Sequence, residues 1–228
     1  MTYWHLHSID WLSTLPEPFS AQLRAQTTVK IYAESQMIFA PDPEPDTVYL
    51  LEKGVVRIYR LSAEGEEFTL IYVGKGEVFG ELAAITNRPR EGFAQAVTSC
   101  TVLSMPRAVF IKAMQAAPEV GFTVSKQMAN RMIRIETRAE ALVFHSVAAR
   151  LARVLVMLLD DFGDIHDDHA TLTLHLTQAE FATLVGAARP TVNQAFQQLR
   201  RAGLVHLNRG GITVDNMQNL RDFAHDEG

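Results

Sequence analysis

Five polar side chains with hydrogen-bonding groups cluster in the C-terminal third of the chain, beside an apolar stripe at helical spacing. They are Arg189, Thr191, Asn193, Gln194 and Gln197. Arginine pairs bidentately with guanine, and asparagine or glutamine with adenine, at base edges exposed in the major groove. We therefore expect this face of a helix to read DNA, with an arginine at its first position.

Local signals predict the two helices that would present these side chains. Thr177 and Glu180 have the spacing of a capping box, which satisfies the free amides at a helix start. Gly186 ends this helix, and Pro190 is tolerated in the first turn of the next one. Gly203 ends the second helix. The sequence thus predicts a helix-turn-helix, with an ordinary helical hairpin of polar outer face as the alternative.

A β-hairpin is expected directly after the second helix. Residues 204–207 and 212–214 favour strands, and the Asn-Arg-Gly-Gly segment at 208–211 supplies turn residues. Together with the helices, this hairpin would form a winged helix-turn-helix. Phosphate contacts raise affinity without carrying sequence information. Further DNA-contacting candidates are Thr177, Gln178, Arg200, Arg201 and Arg209.

Composition narrows the functional classes. The chain has 228 residues, is 47% apolar and carries a formal net charge of −5, so any DNA contact must come from a local basic patch. Its one cysteine, Cys100, excludes an internal disulfide and a cysteine-ligated iron–sulfur cluster. The first residues lack a basic leader and a long apolar run, so we expect no secretion signal, no membrane span and a cytoplasmic protein.

The chain before the helix-turn-helix divides into a strand-rich part and a long helix. Short segments rich in β-branched residues, punctuated by Gly and Pro, predict an antiparallel β-roll over residues 1–117. From 118 to 145 we expect a dimerisation helix and hinge, and from 146 to 228 the winged helix-turn-helix DNA-binding domain. The predicted fold class is therefore α+β.

The long helix carries apolar residues at coiled-coil spacing. Met128, Ile135 and Leu142 recur every seven residues, with Met132 and Ala139 between them. This regularity favours a seam between two copies of the chain over packing on its own domain. The sequence therefore predicts a homodimer.

In this order of parts, the chain resembles the Crp–Fnr superfamily of bacterial transcription regulators. Residues 78–82, Val-Phe-Gly-Glu-Leu, are similar to its phosphate-binding cassette, and residues 144–151 to its hinge. Residues 184–192 are similar to its turn and recognition helix. The resemblance implies a homodimer on a roughly palindromic DNA site, with half-sites about one helical turn apart, and contact with RNA polymerase.

The chain departs from this resemblance where a cyclic nucleotide would bind. Cyclic-AMP binders hold the phosphate with an Arg-Ser pair, matched here by Arg90 and Glu91, and a carboxylate beside a phosphate costs on the order of 1 kcal/mol or more. Cyclic-AMP binders also carry a Thr-Ser pair on the long helix, and the matching positions here are Ile135 and Glu136. Cyclic AMP is therefore disfavoured, and the effector is another small molecule or none. The pocket candidates are Gly80, Glu81, Leu82, Arg90, Glu91, Ile135 and Glu136. As an alternative, Glu81 and Arg90 would form a local ion pair.

Other candidate chemistries require residues that the sequence lacks. Haem is disfavoured because no histidine lies between Ser8 and Phe144, and His5 and His7 are expected at the surface. The same gap argues against a metal-holding β-roll enzyme, and no serine elbow or Walker loop occurs. We interpret the acidic segment 160–169 as a solvated connector rather than a metal site. The runner-up function is a small-ligand or cyclic-nucleotide sensor module whose C-terminal part binds protein.

Overall fold

The computed structural model describes residues 17, 21, 25–208 and 210–225. Arg209, expected to contact phosphate, and His5 and His7 lie outside the described residues. The chain divides into two compact units, Met1–Ile133 and Arg134–Gly228. The division falls within the long helix.

The first unit is built on two antiparallel sheets, which confirms the predicted β-roll. Their strand orders are β1-β8-β3-β6 and β2-β7-β4-β5. The strands are β1 (Thr28–Tyr32), β2 (Met37–Phe39), β3 (Thr47–Lys53), β4 (Val56–Leu61), β5 (Glu67–Val73), β6 (Val78–Phe79), β7 (Phe93–Ala96) and β8 (Cys100–Pro106). Apolar residues alternate inward along the strands, and Leu51, Val56, Val73 and Val102 are fully buried between the sheets.

Three helices follow or interrupt the strands. They are α1 (Glu81–Thr86), α2 (Arg107–Ala116) and α3 (Pro118–Phe144). Phe110 of α2 and Val120 and Val124 of α3 join Val48 and Met105 of the strands in a second buried cluster. The first half of α3 is thereby held on the roll by its apolar side.

The second unit places helices on one small sheet. Its helices are α4 (Val147–Phe162), α5 (Gln178–Val185), α6 (Arg189–Arg201) and α7 (Met217–His225), and its strands are β9 (Asp164–His166), β10 (His169–Leu172), β11 (His206–Asn208) and β12 (Gly211–Val214). The strand order is β11-β12-β10-β9. Four leucines of α4 are fully buried and form the centre of the unit, namely Leu151, Leu155, Leu158 and Leu159.

The acidic segment differs from the connector expected. It contains β9 and the start of β10, which pair as a hairpin with His169 opposite His166 and Thr171 opposite Asp164. Asp167 supplies the turn with φ 54°, a left-handed conformation that Asp tolerates better than most residues. The second strand of this hairpin therefore begins within the acidic segment, at His169, and ends at Leu172. Within the described residues, no three His, Cys, Asp or Glu side chains are grouped as a metal site would require.

None of the described helices is both long enough and apolar enough to cross a bilayer.

The single cysteine provides a test of the roll's packing. Cys100 is 1% exposed, and its Sγ lies 3.2 Å from the carbonyl oxygens of Val55 and Thr98. Burial raises the pKa of the Cys100 thiol, so less thiolate is present at a given pH than in an exposed cysteine. In native protein at pH 8, we expect labelling by a thiol reagent such as Ellman's reagent to be at least about 1,000-fold slower than in guanidinium, because exposure requires opening the fold. Fast labelling of the native protein would contradict the buried placement.

Candidate nucleic-acid interface

The first helix of the helix-turn-helix begins at the predicted capping box. The amide of Glu180 donates to Thr177 Oγ1 at 3.2 Å, and the amide of Thr177 donates to Glu180 Oε2 at 2.7 Å. The Thr177 hydroxyl also donates to Glu180 Oε2 at 2.8 Å. Thr177 thus has a structural role at the helix start, whereas the neighbouring Gln178 side chain is exposed.

The turn between α5 and α6 is made by Gly186. Its φ of +70° is left-handed, and its amide and that of Ala187 both donate to Ala182 O. Such a C-terminal turn satisfies carbonyls that have no partner within the helix. Ala188 is extended, and α6 begins at Arg189 with proline in its first turn, as the sequence predicted.

One side of α6 is buried and the other is open. Val192, Phe196 and Leu199 are at most 4% exposed, and the Phe196 ring meets Phe181 of α5 edge-on at 5.1 Å between centroids. This packing fixes the angle between the two helices. The side chains on the opposite side are all exposed, as the sequence analysis expected: Arg189, Thr191, Asn193, Gln194, Gln197 and Arg200.

The exposed side of α6 presents hydrogen-bond donors to solvent. In the part of the chain that the structure describes, no carboxylate pairs with Arg189, Arg200 or Arg201. Asn193 follows Arg189 and Gln197 follows Asn193 at intervals of one helical turn, which aligns them along the helix. This surface can donate hydrogen bonds to base edges along its length and carries positive charge at both ends.

The wing is the β11–β12 hairpin. Its strands pair His206 with Thr213 and Asn208 with Gly211, one or two residues later than expected for the first strand. A Cβ on Gly211 would lie 2.1 Å from Leu172 O, so only glycine fits at this position. The hairpin is therefore held closely against β10.

A histidine–carboxylate cluster on this sheet was not predicted from the sequence. Asp215 lies 3.0 Å from His206 Nε2 and 3.4 Å from His169 Nδ1, and all three side chains are about half exposed. The cross-strand pairing brings together residues far apart in the chain, and no local pattern marks it.

The long helix leaves an apolar line uncovered within the single chain. Met132, Ile135 and Leu142 are 62%, 50% and 53% exposed, and Ala139 is also exposed. Met128, expected on the same line, is half-buried against the core of the roll. The exposed line is an apolar surface that a second copy of the chain would cover.

The effector-pocket candidates are connected to the long helix by buried polar contacts. Arg131 donates to Glu81 Oε1 at 2.8 Å and to Val78 O at 2.7 Å, with the two charged side chains 13% and 4% exposed. Gln127 accepts from the Val78 amide at 3.0 Å and donates to Gly76 O at 3.1 Å. Glu81 and the strand before it therefore both have side-chain partners on α3, about fifty residues away.

Arg90 does not pair with Glu81, so the alternative of a local ion pair is wrong. Its Nη2 donates to Thr47 O at 2.6 Å and more weakly to Gly80 O at 3.5 Å. Its guanidinium lies 4.2 Å from the centroid of the Phe39 ring. Packing between the strands thus gives this arginine carbonyl and aromatic partners.

Tyr49 completes the aromatic surroundings of Arg90. Its ring lies 5.5 Å from the guanidinium and stacks on Phe79 at 5.2 Å. Burial raises the pKa of Tyr49, and the nearby positive charge of Arg90 opposes that shift. The phenol is therefore neutral at physiological pH.

The remaining pocket candidates are exposed. Glu91 pairs with Arg60 at 2.6 Å, with side chains 65% and 53% exposed, and Leu82 is 57% exposed. Ile135 and Glu136 lie on α3 in the second compact unit, both exposed. The structure thus brings Gly80 and Arg90 together, Glu81 with Arg131, and Glu91 with Arg60.

A different family model matches each of the two compact units of the chain. A cyclic nucleotide-binding domain matches residues 29–117, and a Crp-like helix-turn-helix domain matches residues 149–223. The two matches fall on the β-roll and on the unit that contains α5 and α6.

The chain is similar in sequence to transcription regulators. The chain is 30% identical to the global nitrogen regulator of Synechococcus elongatus, over 82% of this chain and 86% of the relative. It is 29% identical to the CRP-like cAMP-activated global transcriptional regulator of Mycobacterium tuberculosis, over 88% of this chain and 89% of the relative.

Solved structures share the fold. A CRP/FNR-family transcriptional regulator from Thermus thermophilus aligns with a TM-score of 0.73 and 24% identity, covering 88% of this chain and 100% of that one. A CooA mutant from Carboxydothermus hydrogenoformans aligns with a TM-score of 0.77 and 23% identity, covering 98% of each chain.

Proposed function

Because the chain belongs to the Crp–Fnr family of transcription regulators, we propose that it binds a roughly palindromic DNA site as a homodimer. The protein is a DNA-binding regulator. The observation that carries the finer proposal is the exposed side of α6, where arginine, amide and hydroxyl groups face solvent at helical spacing. Each subunit would place α6 in the major groove of one half-site.

Individual roles follow from the side chains. Arg189, at the first position of α6, would pair with a guanine, and Asn193 or Gln194 with an adenine. Thr191 and Gln197 would read the remaining positions. Pro190 stands where the family often has a glutamate, and its side chain offers no hydrogen bond, so the preferred half-site would differ from that of the cyclic-AMP branch.

Phosphate contacts would surround these base contacts. The exposed Arg200 and Arg201 lie in the last turn of α6, and Gln178 lies in the first turn of α5. Helix starts present free amides that suit phosphate oxygens. Thr177 and Arg209 complete the proposed set.

Dimerisation would use the exposed apolar line of α3. Met132, Ile135, Ala139 and Leu142 supply it, and Met128 would contribute only the part of its side chain that the roll leaves open. Burying such side chains between two helices stabilises a coiled coil. Residues 1–117, 118–145 and 146–228 would then serve as sensor, dimerisation and DNA-binding parts.

As a regulator of transcription, the protein would act where the chromosome and RNA polymerase are found, in the bacterial cytoplasm. We expect RNA polymerase to be its protein partner and expect no catalytic activity. The runner-up, a sensor whose C-terminal part binds protein, is not favoured by the relatives, which are named as transcription regulators.

The roll would take a small-molecule effector other than cyclic AMP, or none. Glu91 occupies the position of the phosphate-binding serine, and Glu81 and Arg90 already have partners within the protein. A ligand would have to compete with these contacts for both groups.

Titration with cyclic AMP tests this proposal. We expect a Kd weaker than about 1 mM by calorimetry, because the Glu91 carboxylate would repel the phosphate and a ligand would have to displace the partners of Arg90. Glu91→Ser removes that charge while breaking only an exposed ion pair, so it should bind cyclic AMP more tightly than the wild type. Micromolar binding by the wild type would contradict the proposal.

Selection from a pool of randomised duplexes tests the DNA-binding proposal. We expect an enriched inverted repeat with half-site centres about 10–11 base pairs apart, and an affinity that falls steeply with salt because counterions are released. A monomer in sedimentation, or a pool without any enriched motif, would overturn it.

A further inference from the structure

The last turns of α3 contact the helix-turn-helix of the same chain. A Cβ placed on Gly186 would lie 2.6 Å from Leu142 Cδ2, so this leucine sits directly against the turn. Arg138 Nη2 donates to Thr183 O, in the last turn of α5, at 3.4 Å. Both contacts lie within the second compact unit. This part of α3 therefore does more than present a dimerisation seam.

The backbone conformation at Gly186 favours glycine. Its φ of +70° disfavours any residue with a side chain, and a Cβ here would also require the end of the Leu142 side chain to move. Leu142 thus packs directly against the turn before α6.

Arg138 is placed where a positive charge suits the end of α5. Carbonyls in the last turn of a helix lack helical donors, and the helix dipole favours a cation there. The amide of Ala187 donates to Ala182 O rather than to Thr183 O. The guanidinium of Arg138 supplies a donor to Thr183 O instead.

A third contact fixes this stretch of α3 to the unit's central helix. Arg134 Nη1 and Nη2 donate to the two carboxylate oxygens of Asp161 at 2.5 and 2.8 Å. Bidentate pairs of this kind hold both planar groups in one orientation. Residues 134–142 are thus attached to α4 at one end and to the helix-turn-helix turn at the other.

We infer that Arg138 and Leu142 are positioning residues for α6, which hold the turn at Gly186 and so set where the recognition helix lies relative to α3. This inference rests on the proposed function, since it takes α6 as the element that reads DNA. In a dimer paired along α3, the separation of the two α6 helices would depend on these contacts. Their loss should therefore loosen the required half-site spacing while leaving the base preference of each half-site intact.

To test this inference, full-length protein is offered duplexes that carry the two selected half-sites at every separation from three base pairs shorter to three longer than the optimum. Sedimentation measures the dimerisation of each variant. Wild-type protein should prefer its best spacing over a one-base-pair change by about tenfold. In Arg138→Gln and Leu142→Ala, we expect that ratio to fall below about threefold, with Arg138→Lys restoring part of it.

Glu140→Gln is the matched control. Glu140 is exposed on α3 between Arg138 and Leu142, in the same compact unit and outside the apolar line. This variant should leave the spacing ratio of the dimer unchanged. If Leu142→Ala fails to dimerise, the spacing ratio of Arg138→Gln alone tests the positioning role, because Arg138 lies outside the apolar line.

The outcomes separate the two proposals. No enriched motif with wild-type protein would overturn the proposed function itself. A wild-type spacing preference that Arg138→Gln leaves intact, or one that Glu140→Gln loosens equally, would overturn the positioning role. Altered base preference within each half-site would also overturn it, since that outcome makes these residues part of the reading surface.

Discussion

Arg189→Ala should weaken binding to the selected DNA site by about 1–3 kcal/mol per half-site and should relax base choice at one position. Arg189 is exposed at the start of α6, and among the described residues no carboxylate pairs with it, so its guanidinium is available to a guanine. The alanine removes a bidentate contact that a wrong base cannot make. Fluorescence anisotropy with all four base pairs at that position measures both effects.

Arg200→Ala provides the contrast. Arg200 is exposed in the last turn of the same helix and is expected to contact phosphate. Its loss should lower affinity about equally for all sequences and reduce the dependence on salt by about one counterion. If Arg189→Ala behaved in this way instead, Arg189 would be a phosphate contact and α6 would read bases through its amides.

Arg131→Ala should lower the free energy of unfolding by about 3–5 kcal/mol. The variant leaves the carboxylate of Glu81, 4% exposed, without its cation, and removes the donor to Val78 O. An uncompensated charge in a poorly solvated site is costly because water can no longer reach it. Urea unfolding of the full chain, followed by circular dichroism, measures the loss.

An exposed ion pair of similar geometry serves as control. Arg60 and Glu91 lie 2.6 Å apart, but both side chains are more than half exposed. Arg60→Ala should therefore cost no more than about 1 kcal/mol. Replacing both buried partners, with Glu81→Gln and Arg131→Met, should recover much of the loss. Equal destabilisation by Arg131→Ala and Arg60→Ala would show that burial does not set the strength of the Glu81 contact.

Local signals in the sequence were sufficient to predict the helix-turn-helix, the order of the parts and the family. The capping box of Thr177 and Glu180, the glycine at 186 and the proline at 190 act within a few residues of each other, so they form the same structure wherever the segment lies. The apolar stripe of α6 likewise determined which side chains would remain exposed. Short segments rich in β-branched residues and separated by Gly and Pro likewise predicted the strands of the roll.

The partners of the polar side chains and the use of each face of α3 depend instead on how the folded elements pack. Glu81 pairs with Arg131 rather than Arg90, and Met128 turns toward the roll although its heptad spacing placed it on the seam. Leu142, on the same heptad, also closes the turn at Gly186. Such choices depend on which surfaces meet after folding, and a helix with apolar residues on more than one side does not specify in advance which of them its own chain will cover.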